Sequence, residues 1–133
     1  MNDEAILAAR PLIPSVTGPG WMPETPEPDF EAFQSHVLRP VLKQQHAAIA
    51  EVFGAHLAEI RWNSASHSRH DSAARFEHEL KTHLRLRATL MGMAMAGMTL
   101  AELRFCLRYR GEVQKRLTAL LIRRISSHFL PGS

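Results

Sequence analysis

A single cysteine, Cys106, is all the thiol this chain carries. No internal disulfide is possible, and a reducing compartment is its natural setting. Long apolar runs are missing too. The longest uncharged stretch, ATLMGMAMAGMTLA at 88–101, spans 14 residues, whereas a membrane-crossing helix needs roughly 20. The N-terminal MNDEAIL has acids where a secretory leader has positive charge. These absences predict a soluble, cytoplasmic protein with no membrane partner. Catalytic signatures are equally lacking: there is no GxSxG, P-loop, GxGxxG, CxxC or HExxH, and Cys106 sits between Phe105 and Leu107, where a buried, inert thiol is expected. An enzyme is not expected, and no cofactor is called for. Two-residue alternation, the mark of a strand, occurs only in the methionines of MGMAMAGM (91–98), between helical signals.

What the chain does have is helix. Its 133 residues, 45% apolar and 22% charged, suit one globular domain, and brevity with richness in alanine and arginine fits a bacterial source. Six of eight prolines fall within 11–28, where each removes a backbone donor and fixes φ, so residues 1–28 read as an extended or disordered arm. Trp21 in that arm is a candidate anchor on a partner. Asp29 reads as the N-cap of a helix carrying Phe30, Phe33, Val37 and Leu38, which Pro40 interrupts and from which a new helix restarts. An amphipathic stripe then runs over 41–61, through Leu42, Ile49, Val52, Phe53, His56, Leu57 and Ile60. A polar loop at 62–72, ending in Asp71 or Ser72 as cap, precedes a helix over 73–96 with Phe76, Leu80, Leu84, Met91 and Met95 on one face. Gly97 suits the left-handed position that closes it. Thr99 and Glu102 form a capping box, with Met98 placed to staple onto Leu103, and a last helix runs from Leu100 toward Phe129, with Gly111 either ending it or lying inside it. The fold class is all-α: a small bundle of four to five helices over 29–133, behind a proline-rich extended N-terminal arm.

Charge is unevenly placed. Residues 1–60 hold three bases (Arg10, Arg39, Lys43) and eight acids, net −5; residues 61–133 hold thirteen bases and five acids, net +8. Either the halves pair with each other, or the second half meets an acidic partner or nucleic acid. Arg104, Arg108, Arg110, Lys115, Arg123 and Arg124 are the candidate contacts for such a partner. Other bases of this half, Arg85, Arg87 and Arg116, lie on the same helices, spread over several faces.

Two groups of residues raise metal chemistry and argue against it. MGMAMAGM resembles methionine-rich copper(I) motifs in spacing, and thioethers do select that ion. On a helix, however, Met91, Met95 and Met98 share a face while Met93 points nearly opposite, so the four sulfurs do not converge. The small residues Ala88, Gly92 and Ala96 repeat at four-residue steps beside that face, which lets another helix approach closely. Ala88, Met91, Gly92, Met95, Ala96 and Met98 are therefore read as packing, or as a dimer or partner interface. Among the eight histidines, His67 and His70 are three apart beside Asp71, and Glu79 and His83 are four apart on one face. His36, His46 and His56 are ten apart and spread around a helix. Surface and capping roles account for them, and no metal site is expected, since zinc needs three or four converging ligands.

The stretch AGMTLAELRFCLRYRG, with a glycine turn and then a helix bearing Leu100, Leu103 and Cys106, resembles a helix-turn-helix. More closely, LRLRATLMGMAMAGMTLAELRFCLRYRGEVQKRLTALLIRRI (84–125) resembles the linker and dimerisation helices of MerR-type transcription regulators, in which a basic-apolar helix leads through a glycine to a "TLxELR"-like helix and a long dimerisation helix. That resemblance implies a homodimer and a place in transcription control. It covers about a third of the chain and leaves out the winged helix-turn-helix, in whose place residues 1–60 carry the proline arm and acidic helices. In size and helical character the whole chain is similar to the anti-activators that disable bacterial quorum-sensing transcription factors. The expected function is thus non-enzymatic regulation by protein–protein binding, with a transcription regulator as partner. DNA binding through the basic C-terminal helices is the alternative.

Overall fold

The computed structural model describes residues 27–63 and 67–130; the arm at 1–26, with Trp21, lies outside them. Every regular element among these residues is helical. α1 (Phe30–Phe33), a π turn (Gln34–Leu38) and α2 (Arg39–Gln44) form one continuous rod. α3 (His46–Glu59), α4 (Arg69–Thr82), α5 (Leu84–Ala96), α6 (Leu100–Arg108) and α7 (Arg110–Phe129) follow. The all-α bundle is as expected, with more breaks than the sequence displays.

Local chemistry accounts for the helix starts. Asp29 accepts from the Ala32 amide at 3.0 Å, satisfying one of the first-turn donors that a helix leaves unpaired. The rod does not stop at Pro40. Arg39 N–H donates to the Gln34 carbonyl five residues back, and this widened turn lets the proline ring pass without ending the helix. Ser68, rather than Asp71 or Ser72, caps α4, its hydroxyl accepting from Asp71 N at 3.0 Å. The Thr99–Glu102 capping box is formed in both directions, at 3.2 and 2.8 Å. Gly97 closes α5 with φ −88°, so its left-handed freedom goes unused. Among the described residues, the one non-glycine with positive φ is Arg61 (55°), where Arg61 N bonds Ala58 O and Trp62 N bonds Leu57 O, a Schellman closure of α3.

Three breaks have no glycine or proline at the hinge. The helix expected over 41–61 is interrupted at Gln45 (φ −93°, ψ 6°), between α2 and α3. The helix expected over 73–96 is split at His83, which adopts an extended conformation (φ −88°, ψ 92°). Leu84, expected on the buried stripe, is 73% exposed as a result. At Tyr109 (φ −114°, ψ 45°) α6 gives way to α7, so Gly111 lies in the first turn of α7 rather than ending a helix. The Tyr109 ring is held edge-on against Phe30 (5.5 Å) and beside Phe105 (4.9 Å). Tertiary contact, not local propensity, sets that kink.

The core is aliphatic with two aromatic clusters. Phe33 stacks on Phe105 (4.3 Å) near α1 and α6, and Phe53 meets Phe76 (5.3 Å) and Phe129 (5.9 Å) where α3, α4 and α7 converge. Leu90, Ala94 and Met91 of α5, together with Met98, complete the interior. The long α7 packs on α3, α4, α6 and the π turn, so its C-terminal half is held beside the corner between α2 and α3.

Candidate functional site

That corner creates a basic cleft. Arg39 from α2, His46 from the start of α3, and Arg123, Arg124, Ser127 and His128 from α7 line a cavity of about 520 Å³, floored by Leu42 and Leu120. Among the described residues, no carboxylate lines it. Cations at the end of α7 are favoured by the helix dipole, whose C-terminal end is negative.

The hydrogen bonds assign the protons. An arginine only donates, so Arg124 Nη1–H donates to His46 Nδ1 (3.4 Å). His46 therefore carries its proton on Nε2 and donates to His128 Nδ1 (3.2 Å), leaving the proton of His128 on its own Nε2. Burial lowers the pKa of His46, and the neighbouring Arg124 and His128 lower it further. The Arg124 guanidinium is itself pulled down by burial and by the charge of Arg39. A concavity with this much positive charge crowded together is electrostatically suited to an anion, which would relieve that repulsion.

The six candidate cations do not share one surface. Arg123 and Arg124 are in the cleft. Lys115 borders a neighbouring hollow with Arg116 and Arg123, and Arg116 is engaged by Glu112 (2.7 Å) and Gln34 (3.1 Å). Arg104 and Arg108 are exposed on α6, with Arg108 lying over the Tyr109 ring at 5.6 Å. Arg110 stands at the rim of a small apolar groove of about 120 Å³ formed by Met91, Met95, Leu107 and their neighbours. Arg39, His46 and His128 were not picked out by sequence. Arg39 counts among the bases of the acidic half, and His46 and His128 are 82 positions apart, so no spacing could join them. Among the described residues, Glu31, Glu51 and Glu59 of the acidic half are exposed, while Arg75, Lys81 and Arg116 pair four residues away on their own helices.

Residues assigned to an interface divide differently. Met91 and Met98 are buried in this chain's own core, and Met95 is half-buried. Ala88, Gly92 and Ala96 are exposed, and a Cβ at Gly92 would meet nothing within 4 Å. Cys106 is buried, its thiol donating to Met98 Sδ at 3.4 Å. Burial, with the charge of Glu102, pushes its pKa up to about 12, as an inert core thiol requires.

A second polar cluster is built around Glu79, which is buried on α4. His56 Nε2 donates to Oε1 at 2.7 Å, Arg75 Nε donates to Oε2 at 2.9 Å, and His83 Nε2 lies 3.2 Å from Oε1. Burial raises the carboxyl pKa, but the hydrogen bonds from His56 and Arg75 and the charges of Arg75 and His83 outweigh it and hold the group ionised. Of the three, the sequence links only Glu79 and His83; His56 belongs to the apolar stripe of another helix. No protein-family model, curated protein or solved structure matches this chain, so its function is read from its own geometry.

Proposed function

We propose that this protein is a regulatory binding module that works by contact rather than chemistry and holds an acidic segment of a partner protein in the basic cleft. One observation carries this reading: three arginines and two histidines from α2, α3 and α7 line a single concavity to which no carboxylate of the described residues contributes. A transcription regulator is the partner class that the chain's size and helical build bring forward, and inhibition by occupying it is the proposed mode. The cleft suits one or two acidic side chains, which bidentate guanidinium contacts hold well. It suits duplex DNA poorly. A helix reads DNA by entering the major groove, whereas α7 turns Arg123 and Arg124 into a hollow against α2 and α3, and Arg104 and Arg108 belong to a different helix. Self-association through the exposed Ala88–Gly92–Ala96 strip is the proposed assembly.

The test compares the wild type with Arg123→Glu/Arg124→Glu in affinity capture from the source organism, read by mass spectrometry, beside fluorescence anisotropy on duplex DNA. One dominant protein recovered by the wild type and lost from the variant supports the reading. Saturable duplex binding with a steep salt dependence replaces it with the nucleic-acid alternative. Gly92→Leu tests the assembly, because the side chain enters open space and spares the monomer. A dimer by light scattering that becomes a monomer is expected, and an unchanged mass removes this strip as the interface.

A further inference from the structure

His56, Glu79 and His83 each offer one ligating atom, and the three atoms lie within 4.8 Å of one another. We propose that they form a zinc site that ties α3 to α4. Zinc takes imidazole nitrogen at about 2.0–2.1 Å and carboxylate oxygen at about 2.0–2.2 Å. Donors spread tetrahedrally at those lengths stand a little over 3 Å apart, by the geometry of that coordination. The observed separations approach this from below, so the ligands need only part slightly to admit the ion: His56 Nε2 is 2.7 Å and His83 Nε2 is 3.2 Å from the same oxygen, Glu79 Oε1.

The surroundings fit the ion as well as the distances do. Arg75 occupies the other carboxylate oxygen at 2.9 Å, so Oε1 is left facing the imidazoles and Glu79 is fixed in orientation, as the outer partner of a metal ligand should be. His56 and Glu79 are buried while the side chain of His83 is 50% exposed, so the group is anchored from below and entered from the side. The break at His83 contributes here. Were α4 to run on into α5, residue 83 would still follow Glu79 by one turn, but the extended backbone at 83 frees its ring to fold over His56, centroid to centroid 4.6 Å. Three protein ligands leave a fourth position for water. Nitrogen–oxygen donor sets of this kind take zinc, and they take cobalt(II) more weakly. Binding requires Nε2 of both histidines as lone-pair donors, so the proton that His56 now presents to Glu79 moves to its Nδ1 as the ion enters, and protons compete with zinc for these ligands.

The experiment titrates zinc chloride into the full chain, purified without a histidine tag, by calorimetry. The absorption spectrum of the cobalt(II) complex reports coordination number, and thermal denaturation reports the link between helices. The expected result is one zinc per chain, visible cobalt absorption of four-coordinate intensity, and a Tm raised by zinc. His83→Ala removes an exposed ligand beyond the last turn of α4 and should weaken binding at least tenfold while the protein stays folded. The variant His46→Ala/His128→Ala removes the other histidine pair and should bind as the wild type does. No saturable uptake, uptake unchanged by His83→Ala, or uptake lost with the His46/His128 pair would each overturn the proposal.

Discussion

The basic cleft and the Glu79 cluster both set two histidines beside arginine, three arginines in the cleft and one at Glu79, and only the second includes a carboxylate among the described residues. Around Glu79 the charges are complementary: each oxygen has a donor, and burial is compensated. In the cleft the polar groups point at one another with no acid among the described residues. His46 and Arg124 are both pushed toward their neutral forms. A satisfied polar cluster stabilises the fold, because an ionised group inside a protein is tolerable only when paired. A cluster of uncompensated charge weakens the fold slightly and is available to a ligand, the usual stability–function trade-off. The comparison teaches that charge balance, not residue type, separates the two.

Three measurements would break or sharpen that contrast. The largest effect is expected for Glu79→Ala, which leaves the buried His56 without its acceptor and Arg75 without its partner. It should lower the unfolding free energy in urea by about 3 kcal/mol, the range for breaking a buried pair from one side. A loss under about 1 kcal/mol would mean that the cluster is not a structural tie. Next comes Arg124→Met, which keeps the apolar stem and removes the crowded charge. Stability should rise by about 0.5–1 kcal/mol, as relief of a like-charge contact allows, while binding of the acidic partner falls. Destabilisation instead would place Arg124 with the structural group.

The smallest effects are those of pH, and they separate the two regions by window. His46 titrates below its usual 6.5 in the folded chain. The unfolded chain thus binds more protons just below that pH, and stability declines as pH drops through it. Glu79 titrates below its usual 4.5, so its contribution is complete above that value and is lost on further acidification. Urea midpoints between pH 8 and 3 should show two successive declines. His46→Gln should remove the first and leave the second, and a first decline that survives this substitution would assign it to another group. An anion in the cleft favours protonated His46 and should shrink the first decline.

Legibility from sequence followed the range of the interaction. Asp29 as a cap and the Thr99–Glu102 box were readable because both partners lie within one turn of each other. The methionines of 91–98 resolved into helix for the same reason, and Met91 and Met98 went to the core. The hinges at His83 and Tyr109 were not readable. Neither carries glycine or proline, and each side chain at the hinge is held from a distance, His83 against His56 of α3 and Tyr109 against Phe30 of α1. A periodic pattern continues through such a point as though nothing had happened.

By itself, then, the sequence determined an all-helical bundle behind the proline-rich arm, most of its caps, most of the buried stripes and the excess of base in its second half, since the helical features depend on neighbours at three- and four-residue spacing. Only the tertiary structure decided which polar side chains meet. Arg39 and His46 reach Arg124 and His128, and His56 reaches Glu79, by the packing of α2 and α3 on α7 and of α3 beside α4. That packing is chosen by apolar burial, which is non-directional and blind to what the polar residues beside it will form.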